Sequence, residues 1–109
     1  METSYFGAKK NDPRAVSIAR GNPRGFKGRK YLPLAPSWEL IKITDEKEYT
    51  ERYRKEVLNL LDPRQVVEDL REDAILLCWE KPDKFCHRRL VAEWFQEELG
   101  IKVPEIAKL

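Results

Sequence analysis

Two cysteines and one histidine in 109 residues are the scarcities that most narrow what this chain can be. Two cysteines do not make the disulfide framework of a small secreted domain, and the N-terminus lacks the apolar stretch of a secretory signal. A reduced, cytoplasmic setting is the expectation. No apolar run approaches the ~20 residues that cross a bilayer; the longest is Ala74 to Trp79, which excludes a membrane span. Internal repeats and low-complexity tracts are absent as well. Because His87 is the single histidine, any acid–base role near neutral pH falls to it by default.

What is present is charge and a modest apolar complement. Charged residues make up 37% and apolar residues 41%, enough Leu, Ile, Val and Phe for one folded core, and the length suits a single domain over residues 1–109. The net charge of +2 conceals an asymmetry. Residues 1–31 hold eight Lys or Arg against two acids, a charge of +6, which leaves −4 for the rest. A basic first third suits phosphate or nucleic-acid contact, but equally solubility and ion pairs to the acidic remainder. No alternation of aromatic and basic residues marks a stacking surface there.

Tyr5 to Ala8 and Ala15 to Ala19 read as short strands, with Asn11-Asp12-Pro13 turning between them. From Arg20 to Pro36, three glycines and three prolines among many cations predict a long loop without regular structure. Ser37 is placed to cap a short helix through Ile43, and Thr44 to cap a longer one. Tyr49, Tyr53, Val57, Leu60 and Leu61 supply that helix's buried face. Asp62 and Pro63 suit the N-cap and first position of the next helix, with Val66, Val67 and Leu70 as its stripe. Residues 74–79 read as a central parallel strand. Leu90, Val91, Trp94, Phe95 and Leu99 define a last helix stopped by Gly100, and Ile101 to Ile106 a final short strand. This alternation predicts a single-domain three-layer α/β sandwich with a small, mainly parallel sheet and a ligand site beyond the carboxyl ends of its strands.

The strand ending in Cys78, Trp79 and Glu80 leads to a helix that starts near Cys86, which places both cysteines at that sheet edge. With Cys86 as N-cap, Phe85 and Leu90 take the positions of a hydrophobic staple. A thiolate there is favoured by free first-turn N–H groups, by the helix dipole and by Arg88 and Arg89; Asp83 is a rival N-cap that would move Cys86 into the helix. The same groups suit an external phosphate or carboxylate. The bland alternative is a small buried cysteine packing helix on sheet. His87 lies toward the packed face, where a core or supporting histidine is the plainer reading. A tyrosine-phosphatase-like loop needs arginine six places after its cysteine, where this chain has Ala92. Cys78, Cys86 and His87 lack paired CxxC or HxxxH spacing and a clear fourth ligand, so no metal site and no cofactor are expected. A redox pair is conceivable across the turn, but Cys78 reads as an inert lining residue of the strand. Glu80 is a candidate base or ligand contact, or merely the strand's polar end.

The segment Leu76-Leu77-Cys78-Trp79-Glu80, followed by Phe85-Cys86-His87-Arg88 and Val91-Ala92-Glu93-Trp94, resembles the DUF488 family, in its subgroup with LLCxE and CHR motifs. Thr3-Ser4-Tyr5-Phe6, Ser17-Ile18-Ala19 and Tyr31-Leu32-Pro33-Leu34-Ala35-Pro36 extend the resemblance over nearly the whole chain. It implies a compact α/β protein of bacterial, archaeal or phage type with cysteine, histidine and arginine grouped, and brings no agreed activity. The leading expectation is a pocket for an anionic small molecule or nucleotide, with Cys86 as nucleophile, His87 orienting or deprotonating it, and Arg88, Arg20, Arg24 and Lys30 binding negative charge. The alternative is a nucleic-acid-associated accessory protein that uses the basic first third without catalysis.

Overall fold

A computed structural model describes residues 1–106. Four parallel strands, β1 (Glu2–Tyr5), β2 (Ala15–Ser17), β3 (Arg29–Lys30) and β4 (Ile75–Cys78), form one sheet in the order β1-β4-β2-β3. The apolar 74–79 run is indeed central, and every β4 residue is buried because parallel strands take cover on both faces. Val16 and Leu76 join the larger apolar cluster, while Ala15, Ile75 and Leu77, at alternate positions, join a smaller one with Phe6, as the two-residue period of a strand requires. The helices α3 (Glu46–Glu56), α4 (Pro63–Leu70) and α5 (His87–Leu99) supply half of the larger cluster, whereas the smaller one draws on the single turn α1 (Phe6–Lys9) and on Phe26. The chain is an α/β domain.

Several boundaries differ from the sequence expectation. The first strand is Glu2–Tyr5, and Phe6 to Ala8, expected to belong to a strand from Tyr5, coil into α1 instead. Thr3 and Ser4 are fully buried although polar, because their hydroxyls donate to Glu105 Oε1 and the Ile106 carbonyl. The basic loop is not featureless: Arg29–Lys30 pairs with Val16 and Ser17 as edge strand β3, and Leu32–Leu34 makes a 3₁₀ turn. Residues 101–106 contribute only an isolated parallel bridge from Glu105 to Thr3.

Helix starts follow their caps. Ser37 Oγ accepts from Leu40 N–H at 3.1 Å to open α2 (Trp38–Ile41), and Asp62 Oδ1 accepts from Arg64 N–H at 3.0 Å ahead of Pro63. For α3 the cap is Asp45, not Thr44, and its carboxylate takes the Glu48 N–H at 2.8 Å. A carboxylate is a stronger acceptor than a hydroxyl at the dipole's positive end. Asp45→Ala should therefore cost about 1 kcal/mol in urea denaturation. The helix stops at Glu56, and the turn that follows leaves Leu60 exposed rather than on the buried face. Gly100 closes α5 in the left-handed conformation that favours glycine.

Candidate functional site

The carboxyl ends of β2 and β4 open onto a cavity of about 480 Å³. Ala19, Arg20 and Gly21 after β2, and Cys78, Trp79 and Glu80 around the end of β4, form one part of its lining; Cys86 and His87 at the start of α5 form another. This is where parallel-sheet topology leaves an uncovered hollow, because each strand's chain departs there toward a different element. Trp38 and Ile41 of α2, with Phe85, bring apolar surface to it. Among the described residues, four of the six large exposed apolar side chains, Trp38, Ile41, Trp79 and Phe85, line this one cavity. Leaving them uncovered at a hollow costs solvation, which is the usual mark of a surface meant to be covered. Trp79 is fixed by donating from Nε1 to the Gly21 carbonyl at 2.9 Å, and Phe85 packs edge-on to Tyr49. Burial pushes the Tyr49 phenol well above its ordinary range, so the cavity sees it uncharged.

Cys86 is the N-cap of α5, but its side chain takes no first-turn N–H. The sulfur is joined to that of Cys78 in a disulfide and lies 3.8 Å from His87 Nδ1. The expectation that Cys78 stands apart as an inert strand residue is thereby corrected: β4 and the α5 cap present their sulfurs to each other across the turn. His87 is 6% exposed, and its Nε2 lies 2.7 Å from the Ile18 carbonyl. That acceptor fixes the proton on Nε2 and leaves a lone pair on Nδ1 facing the sulfurs. Desolvation pulls the imidazole down to about 4, so it is neutral through the physiological range and a weak base. Its geometry suits orienting the sulfur better than deprotonating it.

Arg88 is not offered to the cavity. Its side chain is fully buried, with Nε and Nη2 donating to the Glu105 carboxylate at 2.7–3.2 Å and Nη1 donating to Cys78 Sγ at 3.1 Å. A guanidinium excluded from water needs such a partner, and Glu105 brings it from beyond α5. Arg89 likewise turns inward, to Thr3 Oγ1 and the Val103 carbonyl. Of the loop cations, Arg20 alone lines the cavity; Nε and Nη2 donate to the Pro36 and Ala35 carbonyls, which hold the side chain against the wall. Arg24 and Lys30 are exposed and lie outside the lining, since β3 carries the loop to the far sheet edge. Glu80 is exposed at the cavity. The aromatic rim was missed in the sequence, although Trp38 beside a helix cap and Trp79 at a strand end were visible there as large apolar residues at element boundaries.

Residues 4–99 match the family model DUF488-N3a, described as an active DUF488-N3 subclade. The chain belongs to the DUF488-N3a family. No curated protein and no solved structure matches it. The matched span holds the whole cavity lining together with Arg88, but ends before Glu105. None of the described helices is long and apolar enough to cross a membrane.

Proposed function

We propose that this DUF488-N3a protein binds an anionic small molecule with a planar ring, of which a nucleotide is the type, in the cavity at the strand–helix turn. The observation that carries this reading is the convergence of an aromatic rim with a sulfur-bearing floor. The volume of about 480 Å³ is in the usual range for a small-ligand pocket, and a lining that is mostly apolar with a few fixed polar groups is its usual chemistry. Trp38 and Trp79 offer faces for stacking. Two of the N–H donors of Arg20, those on Nε and Nη2, are engaged, and a guanidinium has five, so it retains donors for a phosphate or carboxylate. In the dithiol state Cys86 is the nucleophile toward an electrophilic centre of the ligand, with the neighbouring His87 Nδ1 orienting its S–H. Exposed Glu80 repels an anion on its side and so favours presentation of the ring there.

Titrating the folded protein with a nucleoside monophosphate should quench tryptophan fluorescence saturably. Trp38→Ala should weaken binding by roughly 5- to 150-fold, the worth of one base–aromatic stack. Arg20→Ala should weaken the nucleotide but not the uncharged nucleoside. Absence of any saturable response to nucleotides would sink the reading.

A second reading has one observation in its favour: Lys10, Lys27 and Arg29 border a common surface depression. Nucleic-acid binding there would weaken steeply with added salt, unlike a stacked small ligand. Arg29 is already engaged with the Leu70 and Asp69 carbonyls and Arg14 with Asp12 and Glu2, which reduces the charge left for phosphates.

A further inference from the structure

We infer that the reduced protein holds one soft divalent cation, of the zinc type, between Cys78 Sγ, Cys86 Sγ and His87 Nδ1, with the fourth coordination position open to the cavity. The inference rests on the cavity being the working site and adds a cofactor to it.

Three donor atoms, two sulfurs and a ring nitrogen, lie within 4.8 Å of one another, and all three residues are buried. Two thiolates and one imidazole are a recognised three-ligand set for zinc that keeps a fourth position for water or substrate. Spacing in the sequence argued against a metal because it supplied no fourth protein ligand; a site open to a cavity needs none. All three donors belong to the cavity lining.

The outer shell supports the same conclusion. A metal-binding histidine almost always donates its other ring N–H to a carbonyl or carboxylate, which sets the tautomer and aims the lone pair. His87 has this arrangement, with Nε2 on the Ile18 carbonyl and Nδ1 toward Cys86. A metal-bound thiolate gains from N–H donors, and Arg88 Nη1 is placed on Cys78 Sγ. The charge balances without solvent: two thiolates neutralise a dication, and Glu105 neutralises Arg88, as buried charge requires. The Cys78 and Cys86 Cα atoms are 7.2 Å apart, which leaves room for an ion between the separated sulfurs.

The disulfide is the oxidised, metal-free alternative. Two electrons from a dithiol, which becomes a disulfide and gives up its two protons, or from a phosphine, which becomes the phosphine oxide while water supplies the protons, convert it to two thiols. One cation then displaces both S–H protons to solvent. Coordination keeps Cys86 deprotonated without a general base. Disulfide and ion exclude each other, so oxidation releases the metal.

The test is a cobalt titration of the full chain, stripped of metal and reduced by a phosphine under anaerobic conditions. One equivalent of Co²⁺ should develop the thiolate-to-cobalt charge-transfer band and the intense visible bands of tetrahedral coordination, and Zn²⁺ should erase both. Cys78→Ser and Cys86→Ser should each weaken uptake by more than about 100-fold, beyond the loss expected from removing only an outer-shell partner. Arg24→Ala should change nothing. The inference is overturned if reduced wild-type protein, folded by circular dichroism, takes up no stoichiometric Co²⁺. It is overturned equally if uptake persists in the disulfide form or in both serine variants. Nucleotide quenching measured on the metal-free protein separates the two proposals: a normal cobalt spectrum without quenching removes the pocket reading alone, and quenching without cobalt uptake removes the metal alone.

Discussion

Replacing Glu105 by alanine should destabilise the protein by about 3–5 kcal/mol, the cost of leaving a buried guanidinium without its counter-charge. Arg88 has no route to water: its side chain is 1% exposed against 17% for Glu105, so the arginine bears the penalty. The substitution also removes the acceptor of the Thr3 hydroxyl at 2.6 Å. Glu105→Gln should fall between wild type and alanine, because an amide oxygen can still accept from Arg88 but carries no charge. The double variant Arg88→Met with Glu105→Leu should recover most of the loss, since a buried pair is often no better than apolar groups of similar size. Urea unfolding of the four proteins checks this, and a loss below about 1 kcal/mol in Glu105→Ala would contradict a buried, uncompensated charge.

Acidification should weaken the fold over a window set by His87. The folded state holds the imidazole neutral down to about 4, whereas the unfolded chain protonates it near the ordinary 6.5. As pH falls through that interval the unfolded state binds the proton first, so stability that is complete above 6.5 drains away toward 4. The displacement corresponds to about 3 kcal/mol. The clean part of the window is its upper half, because Asp12, Glu56 and Asp69 are held below their ordinary values by hydrogen bonds to Arg14, Arg52 and Tyr31, and their contribution is lost only once the unfolded chain protonates in the ordinary carboxylate range. His87→Gln should flatten the unfolding free energy between pH 6.5 and 5. A slope unchanged by that substitution would place the titrating group elsewhere.

The central strand, the caps at Ser37 and Asp62, the Gly100 stop and the Cys86 N-cap were legible in the sequence because each is a local signal: a run, a spacing or a residue with a fixed backbone preference. The Thr3-Ser4 strand was not, since two hydroxyls look like surface until their acceptors, supplied about a hundred positions away, are known. Arg88 was misplaced for the same reason. Adjacency to Cys86 pointed to a ligand contact, while the deciding neighbour, Glu105, arrives from another part of the chain. The nearness of Cys78 to Cys86 follows from strand and helix register at the sheet edge, yet which face each sulfur takes depends on packing. Arg24 and Lys30 were grouped with Arg20 by composition, and the short pairing of Arg29–Lys30 with β2 carries that part of the loop away from the cavity.

The bond between Arg88 and Glu105 also couples two parts of the chain. Glu105 lies beyond the end of α5, on a segment that reaches the sheet through a single bridge to Thr3. Until that segment docks, the arginine must stay hydrated and α5 cannot seat fully on the sheet. Seating of α5 and docking of the segment after it are therefore one coupled step, so that loosening the short stretch around position 105 also loosens the helix that begins at Cys86.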